Sequence, residues 1–324
     1  MTPRRSVVMA VAVAVGALML ASACRAQAWP SRPIRLINAG APGTVTDIVA
    51  RQLAERVGAQ LGQPVFVDSR PSAGGIVALE ALKGSPSDGY TLGLVQSAQM
   101  SVAPSLFHHL PYDTVSDFAP IGILYHGPQV LAVNASLPVS SLAELIELTK
   151  ARAGRLRYSS TGNGTPTHIA MEQFTQLAGI ALQHIPYLGA AGHRAVVSGE
   201  VDVMIEGVAA LLPHIRAGSL RPLAVSGVQR LTVLSDVPTF AELGIHGIAP
   251  VWVGLVAPRG VPPALIDRLN HEFARAVSTP AIREQYDGLA RIVSAGTPQQ
   301  MTDTIVGEIP RWRDLITKAG IKPD

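Results

Sequence analysis

The amino-acid sequence predicts an α/β protein made of two sheet-and-helix lobes. Short β-rich runs alternate with helical patterns, the signature of parallel strands joined by crossover helices. A second series of the same kind begins near Val130, after the first has run out near Val95. No internal repeat, low-complexity tract or loose tether separates the two series, so extended strands must join the lobes.

The elements follow in order. Ile34–Asn38 is the first predicted strand. A helix over 46–61 carries Val49, Leu53 and Val57 on one face, the spacing of a buried stripe. Strands are predicted at 65–68 and 91–95, with the helix Ile76–Lys83 between them. The second series opens with a strand at 130–133. Ser141 and Glu144 then form a capping-box signature for a helix reaching about Ala151. Further strands fit 156–159, 182–185, 201–205 and 223–225, and helices fit 166–177, 190–198 and 210–217. The last third turns helical, over 262–278, 280–289 and 297–318.

Residues 1–28 read as an export signal. Arg4 and Arg5 precede an apolar run from Val7 to Ala21, followed by small-residue cleavage sites. Cleavage is expected after Ala28, because Trp29-Pro30 leads directly into the first strand. The alternatives are a cut after Ala23 or lipidation of Cys24. Cleavage after Ala28 removes Cys24, the only cysteine, leaving no disulfide, thiol nucleophile or thiolate metal site. The net charge of +3 also vanishes with Arg4, Arg5 and Arg25. A near-neutral chain gives no electrostatic case for a nucleic-acid partner. No later stretch has the length of a membrane span.

Two strand-to-helix loops stand out. The first is Ala41-Pro42-Gly43-Thr44-Val45-Thr46-Asp47; the second runs from Ser160 through Thr161, Gly162, Asn163, Gly164 and Thr165 to Pro166, Thr167 and His168. Each places Gly where backbone approaches another group closely and sets hydroxyls at a helix start. In the second, Thr165 fits the N-cap and Pro166 the first helical position. A helix start offers unpaired N–H groups and partial positive charge, so it seats anions, each end contributing about 0.3–1 kcal/mol. Neither loop contains Lys or Arg, which favours a carboxylate over a phosphate. Neither matches a P-loop or a dinucleotide fingerprint, and each taken alone also reads as an ordinary capped turn.

A family resemblance then joins the two loops. It is carried by Trp29-Pro30-Ser31-Arg32-Pro33-Ile34-Arg35-Leu36, Ala41-Pro42-Gly43, Thr46-Asp47, Gly62-Gln63-Pro64-Val65, Arg70-Pro71, Ala73-Gly74-Gly75, Asp88-Gly89-Tyr90-Thr91-Leu92 and Leu110-Pro111-Tyr112-Asp113. It continues with Gly162-Asn163-Gly164, His168, His184-Ile185-Pro186-Tyr187, Gly199-Glu200-Val201-Asp202-Val203 and Asp236-Val237-Pro238-Thr239. In this order and spacing the chain resembles the solute receptors of tripartite tricarboxylate transporters, the Bug or TctC family. The resemblance implies a two-lobed type II periplasmic binding protein fold with a ligand cleft between the lobes. Lobe 1 would comprise 29–126 plus 250–324 and lobe 2 would comprise 127–249. It also implies a carboxylate gripped between the two loops, a hinge that closes on it, a periplasmic location, a monomeric chain and no cofactor. The closed form would be presented to membrane permease subunits, or alternatively to a membrane sensor protein.

Three departures from the family pattern bear on the ligand: Thr44-Val45 in the first loop, Leu188-Gly189-Ala190 where Lys-Gly-Ser is usual, and Glu206-Gly207 where Asp-Asn is usual. The expected contacts are Ala41, Gly43, Thr44, Thr46 and Asp47; Gln96 and Ser97 at a strand end; Thr161, Gly162, Asn163, Gly164, Thr165 and His168; and Gly189, Ala190 and Glu206. Several remain open. Thr46 and Asp47 equally serve a helix start, His168 either touches ligand or braces its loop, and Glu206 either reads a ligand hydroxyl, amino or amide group or is a solvated rim acid. Arg70 is expected to pack a turn, and His108-His109 to lie on the surface. The sequence has no G-x-S-x-G elbow and no H-E-x-x-H motif, so neither a hydrolase nor a metal site is predicted.

Overall fold

A computed structural model describes residues 29–321 apart from 41, 43, 44, 73, 74, 153, 164 and 188. The predicted export signal, both predicted cut sites and Cys24 lie outside the described residues, as do Ala41, Gly43, Thr44 and Gly164 of the predicted site. No helix among the described residues is long and apolar enough to cross a membrane.

The strands form two sheets. The first has the order β11-β4-β10-β3-β1-β2, from β1 (Ile34–Asn38), β2 (Val65–Ser69), β3 (Thr91–Gln96), β4 (Phe118–Gly127), β10 (Val251–Pro258) and β11 (Ile292–Val293). The second has the order β7-β6-β8-β5-β9, from β5 (Gln129–Asn134), β6 (Arg157–Ser160), β7 (Gln183–Pro186), β8 (Val203–Gly207) and β9 (Leu220–Val225). Each sheet is covered on both faces, which explains the nearly continuous burial of β3, β5 and β10. On the first, α1 (Val45–Leu61) and α8 (Pro263–Val277) pack one face through Leu53, Val57, Leu269 and Phe273. Opposite lie α2 (Ile76–Lys83) and α10 (Pro298–Lys318), contributing Leu79, Leu82, Met301 and Ile305. The second sheet lies between α4 (Leu142–Ala151) with α5 (Pro166–Ala178) and α6 (Ala191–Ser198) with α7 (Val208–Arg216). A π-helical turn, Ala98–Val102, and a short α3, Ala103–Leu106, follow β3; α9 (Pro280–Gly288) follows α8.

The expectation of parallel sheets is corrected here: both sheets are mixed. β1, β2 and β3 are parallel, as are β6, β7 and β8. However, β10 runs antiparallel to β3 and β4, and β5 antiparallel to β8 and β9. Apart from the two-residue β11, antiparallel to β4, the exceptions are the strands that arrive from the other lobe. A chain entering a lobe at the edge where its parallel strands end can only run back against them. At that edge the crossings lie side by side: Val251 pairs with Gly127, and Ser226 donates N–H to the Gln129 carbonyl at 2.8 Å. The buried Ser226 hydroxyl also accepts the Gln129 N–H at 2.8 Å.

Smaller corrections concern ends and caps. The strands expected at 182–185, 201–205 and 223–225 are Gln183–Pro186, Val203–Gly207 and Leu220–Val225. Ser141 does cap α4, accepting the Glu144 N–H, but the Glu144 carboxylate turns to Ser140 instead of closing the box. A full capping box stands at α10 instead, between Thr297 and Gln300.

Candidate functional site

The carboxyl ends of β3, β6 and β8 and the two crossings share one edge of the fold, where open α/β sheets place ligands. The second predicted loop leaves β6 there. Gly162, at φ 136°, turns its carbonyl back toward the helix start, where it accepts the Thr165 hydroxyl at 2.7 Å. Thr165 occupies the N-cap position and Pro166 the first turn, as the sequence predicts, while the Thr165 side chain makes no cap bond to the helix. Thr167 supplies the missing order. Its hydroxyl accepts the Thr161 N–H at 2.9 Å and lies 3.0 and 3.1 Å from the hydroxyls of Thr161 and Thr165. Asn163 projects outward and is exposed.

Beneath the loop is a stack of three rings. His168 and His184 lie 3.9 Å apart between centroids at 12°, and His184 lies 4.7 Å from Tyr158 at 14°. The Tyr158 hydroxyl donates to Glu172. The Ser160 hydroxyl lies 2.7 Å from His184 Nε2, 3.0 Å from the Gly162 carbonyl and 3.2 Å from the Gly162 N–H. Only one assignment of protons satisfies all three contacts. Ser160 donates to the Gly162 carbonyl, so His184 must donate from Nε2. Burial, reinforced by the neighbouring His168, lowers the His184 pKa to about 4. Burial also lowers His168, against the pull of Glu172, so the stack is uncharged at neutral pH. His168 stacks on His184, whose Nε2 meets the Ser160 hydroxyl at the root of the loop. The sequence marks no role for His184, Ser160 or Thr167, although His184 lies in one of the stretches that carry the resemblance.

Opposite, the first loop is held at its root. Asn38 Oδ1 accepts the Gly40 N–H at 3.1 Å as the chain leaves β1. The structure brings two predicted residues together here, Gln96 Nε2 donating to the Thr46 hydroxyl at 3.4 Å. Asp47 is 3% exposed, accepting Ser69 at 2.8 Å and Arg51 at 2.9 Å; those bonds fasten the start of α1 to β2. Ser97 is buried and accepts the Trp252 N–H at 3.5 Å. It also lines a cavity of about 30 Å³ with Gln129, Pro166, Ile169 and Trp312, room for one water molecule. At this point the end of a first-sheet strand and a second-sheet helix start face each other across the cleft.

At the far side, Gly189 and Ala190 are exposed before α6. Glu206 is no solvated rim acid: its side chain is 18% exposed, with one oxygen on the Gly207 N–H at 2.7 Å and the other 2.9 Å from His193 Nε2. Arg70 pairs with Asp68, and His108 and His109 are exposed. A roomier groove, about 550 Å³, runs between α5 and α10 past Gln173, Gln176, Arg311 and Trp312. None of the predicted residues lines it.

The chain matches the model of the tripartite tricarboxylate transporter family receptor over residues 49–321. Protein BugT of Bordetella pertussis is 36% identical over 307 residues, 94% of each chain. An R. palustris protein solved with adipate is 31% identical, with a TM-score of 0.78 over 91% of this chain and 100% of that one. MatC from Rhodopseudomonas palustris, solved with bound malate, is 27% identical, with a TM-score of 0.74 over 89% and 100% of the two chains.

Proposed function

The chain belongs to the tripartite tricarboxylate transporter receptor family, and from that premise we propose that it captures a small organic carboxylate in the periplasm for membrane permease subunits. The ligand carboxylate sits between the loop that opens α1 and the loop that opens α5, and the lobes close on it about the paired crossings. The observation that carries this reading is the start of α5. Thr161, Gly162 and Thr165 are locked in place by bonds within the loop, which leaves the helix end as a rigid seat facing the Ser97 end of β3. A partly buried helix end stabilises an anion by up to about 2 kcal/mol, and two such ends bind a carboxylate without an ion pair. The adipate and malate held by two relatives support that ligand class.

The test is a thermal-shift screen of residues 29–324 against organic acids, their amides and neutral sugars. A ligand of the folded state raises the melting temperature by mass action. Shifts confined to acids are expected. Shifts with neutral compounds alone, or none with any acid, would remove the carboxylate reading.

A further inference from the structure

We propose that His193 and Glu206 select the end of the ligand remote from the carboxylate seat, and that this end carries a hydrogen-bond donor, a hydroxyl, amide or ammonium, instead of a second carboxylate. The inference rests on the carboxylate reading above and adds a substrate class to it.

The pair joins two elements at the site edge. Glu206 follows Met204 on the face of β8 that packs against α6, and His193 lies in the first turn of α6. Their side chains are 18% and 19% exposed, open to a small approaching group but largely withdrawn from water. They stand beside the carboxylate seat because α6 starts against the root of the second loop. The Ser159 hydroxyl donates to the Gly192 carbonyl at 3.1 Å, and the Tyr187 N–H donates to the Ser160 carbonyl at 3.1 Å. A Cβ on Gly192 would come within 2.9 Å of that same Ser160 oxygen.

What the pair has left to offer is acceptor capacity. Each Glu206 oxygen already takes one N–H, from Gly207 or from His193, and keeps a further lone pair. His193 Nε2, 2.9 Å away, holds the Glu206 carboxylate in place and leaves that free acceptor capacity on Glu206. The adjacent cation, Arg194, is exposed and projects about 100° further round the helix. A second bare carboxylate would set acceptor against acceptor beside a negative charge. A hydroxyl, amide or ammonium instead donates to the lone pairs that Glu206 keeps.

The experiment is calorimetric titration of the chain spanning residues 29–324 with matched straight-chain acids of several lengths. Each length ends in a methyl, hydroxyl, primary amide, amine or carboxylate; the six-carbon set is hexanoate, 6-hydroxyhexanoate, adipate monoamide, 6-aminohexanoate and adipate. At the best-fitting length, a donor-ended acid should bind about tenfold or more tightly than the diacid, the worth of one hydrogen bond to a charged group. Glu206→Gln and His193→Leu should each bring that ratio to within about threefold. A diacid bound as tightly as every donor-ended acid, or a ratio unmoved in both variants, overturns the proposal while leaving the carboxylate seat intact. If either variant fails to fold, the wild-type ranking decides by itself. Failure of every acid, the methyl-ended ones included, overturns the carboxylate reading and this proposal with it.

Discussion

Replacing His184 by Gln should flatten the pH dependence of stability, and the size of the effect follows from the ring stack. His184 titrates near 6.5 when unfolded and is held at about 4 in the folded chain, by burial first and by His168 second. Between those values the unfolded chain binds a proton that the folded chain refuses, so stability falls as pH falls. The contribution is complete above about pH 6.5 and gone below about pH 4. The full shift is worth at most about 3 kcal/mol; water reaching a partly exposed ring reduces that to about 1–2 kcal/mol. Gln keeps an N–H for the Ser160 hydroxyl and cannot titrate, while His168 remains to titrate in both proteins. Urea unfolding of wild type and His184→Gln at about pH 7.5 and about pH 4.5 therefore isolates one ring. Wild type should lose about 1–2 kcal/mol more than the variant across that interval. Parallel losses would refute the claim that His184 is held neutral under the loop.

Two further substitutions test the geometry. Ser226→Ala strips the acceptor from the buried Gln129 N–H at the crossing, which should cost about 1–3 kcal/mol in denaturant unfolding; an unchanged midpoint would mean that water replaces the hydroxyl. Gly192→Ala drives a methyl to within 2.9 Å of the Ser160 carbonyl oxygen, costing about 1–3 kcal/mol. Because Ser160 anchors the second loop, the same variant should also weaken binding of whichever acid the thermal-shift screen finds. A loss of stability with full affinity would separate α6 from the seat.

The parallel strands and most helices were legible because their patterns are local: Val49, Leu53 and Val57 recur at helical spacing, and all three are buried. The strands β4 and β10 were not. β4 carries Pro120 and Gly122, which read as breakers, yet both sit within a paired strand. β10 is apolar on both faces and shows no alternation. Their antiparallel direction follows from the crossings, which no short window contains. The site divides the same way. Thr165 and Pro166 announce a helix start, but Thr167 acts through a hydroxyl cluster, and His184 reaches Ser160 only once β6 and β7 are paired. Glu206 looked like an isolated acid because its partner, His193, lies on another element.

The returning strand β10 also sets an order of assembly. In the first sheet β10 lies between β3 and β4, so those two strands have no common neighbour until residues 251–258 have been made. The second sheet needs nothing beyond β9 and can close sooner. During synthesis the N-terminal half waits as an incomplete layer with exposed strand edges, a state prone to pairing with other chains. Only the first sheet is finished by a segment made after the other, so cutting the polypeptide at a crossing would yield two fragments, the first lacking the strand that lies between β3 and β4.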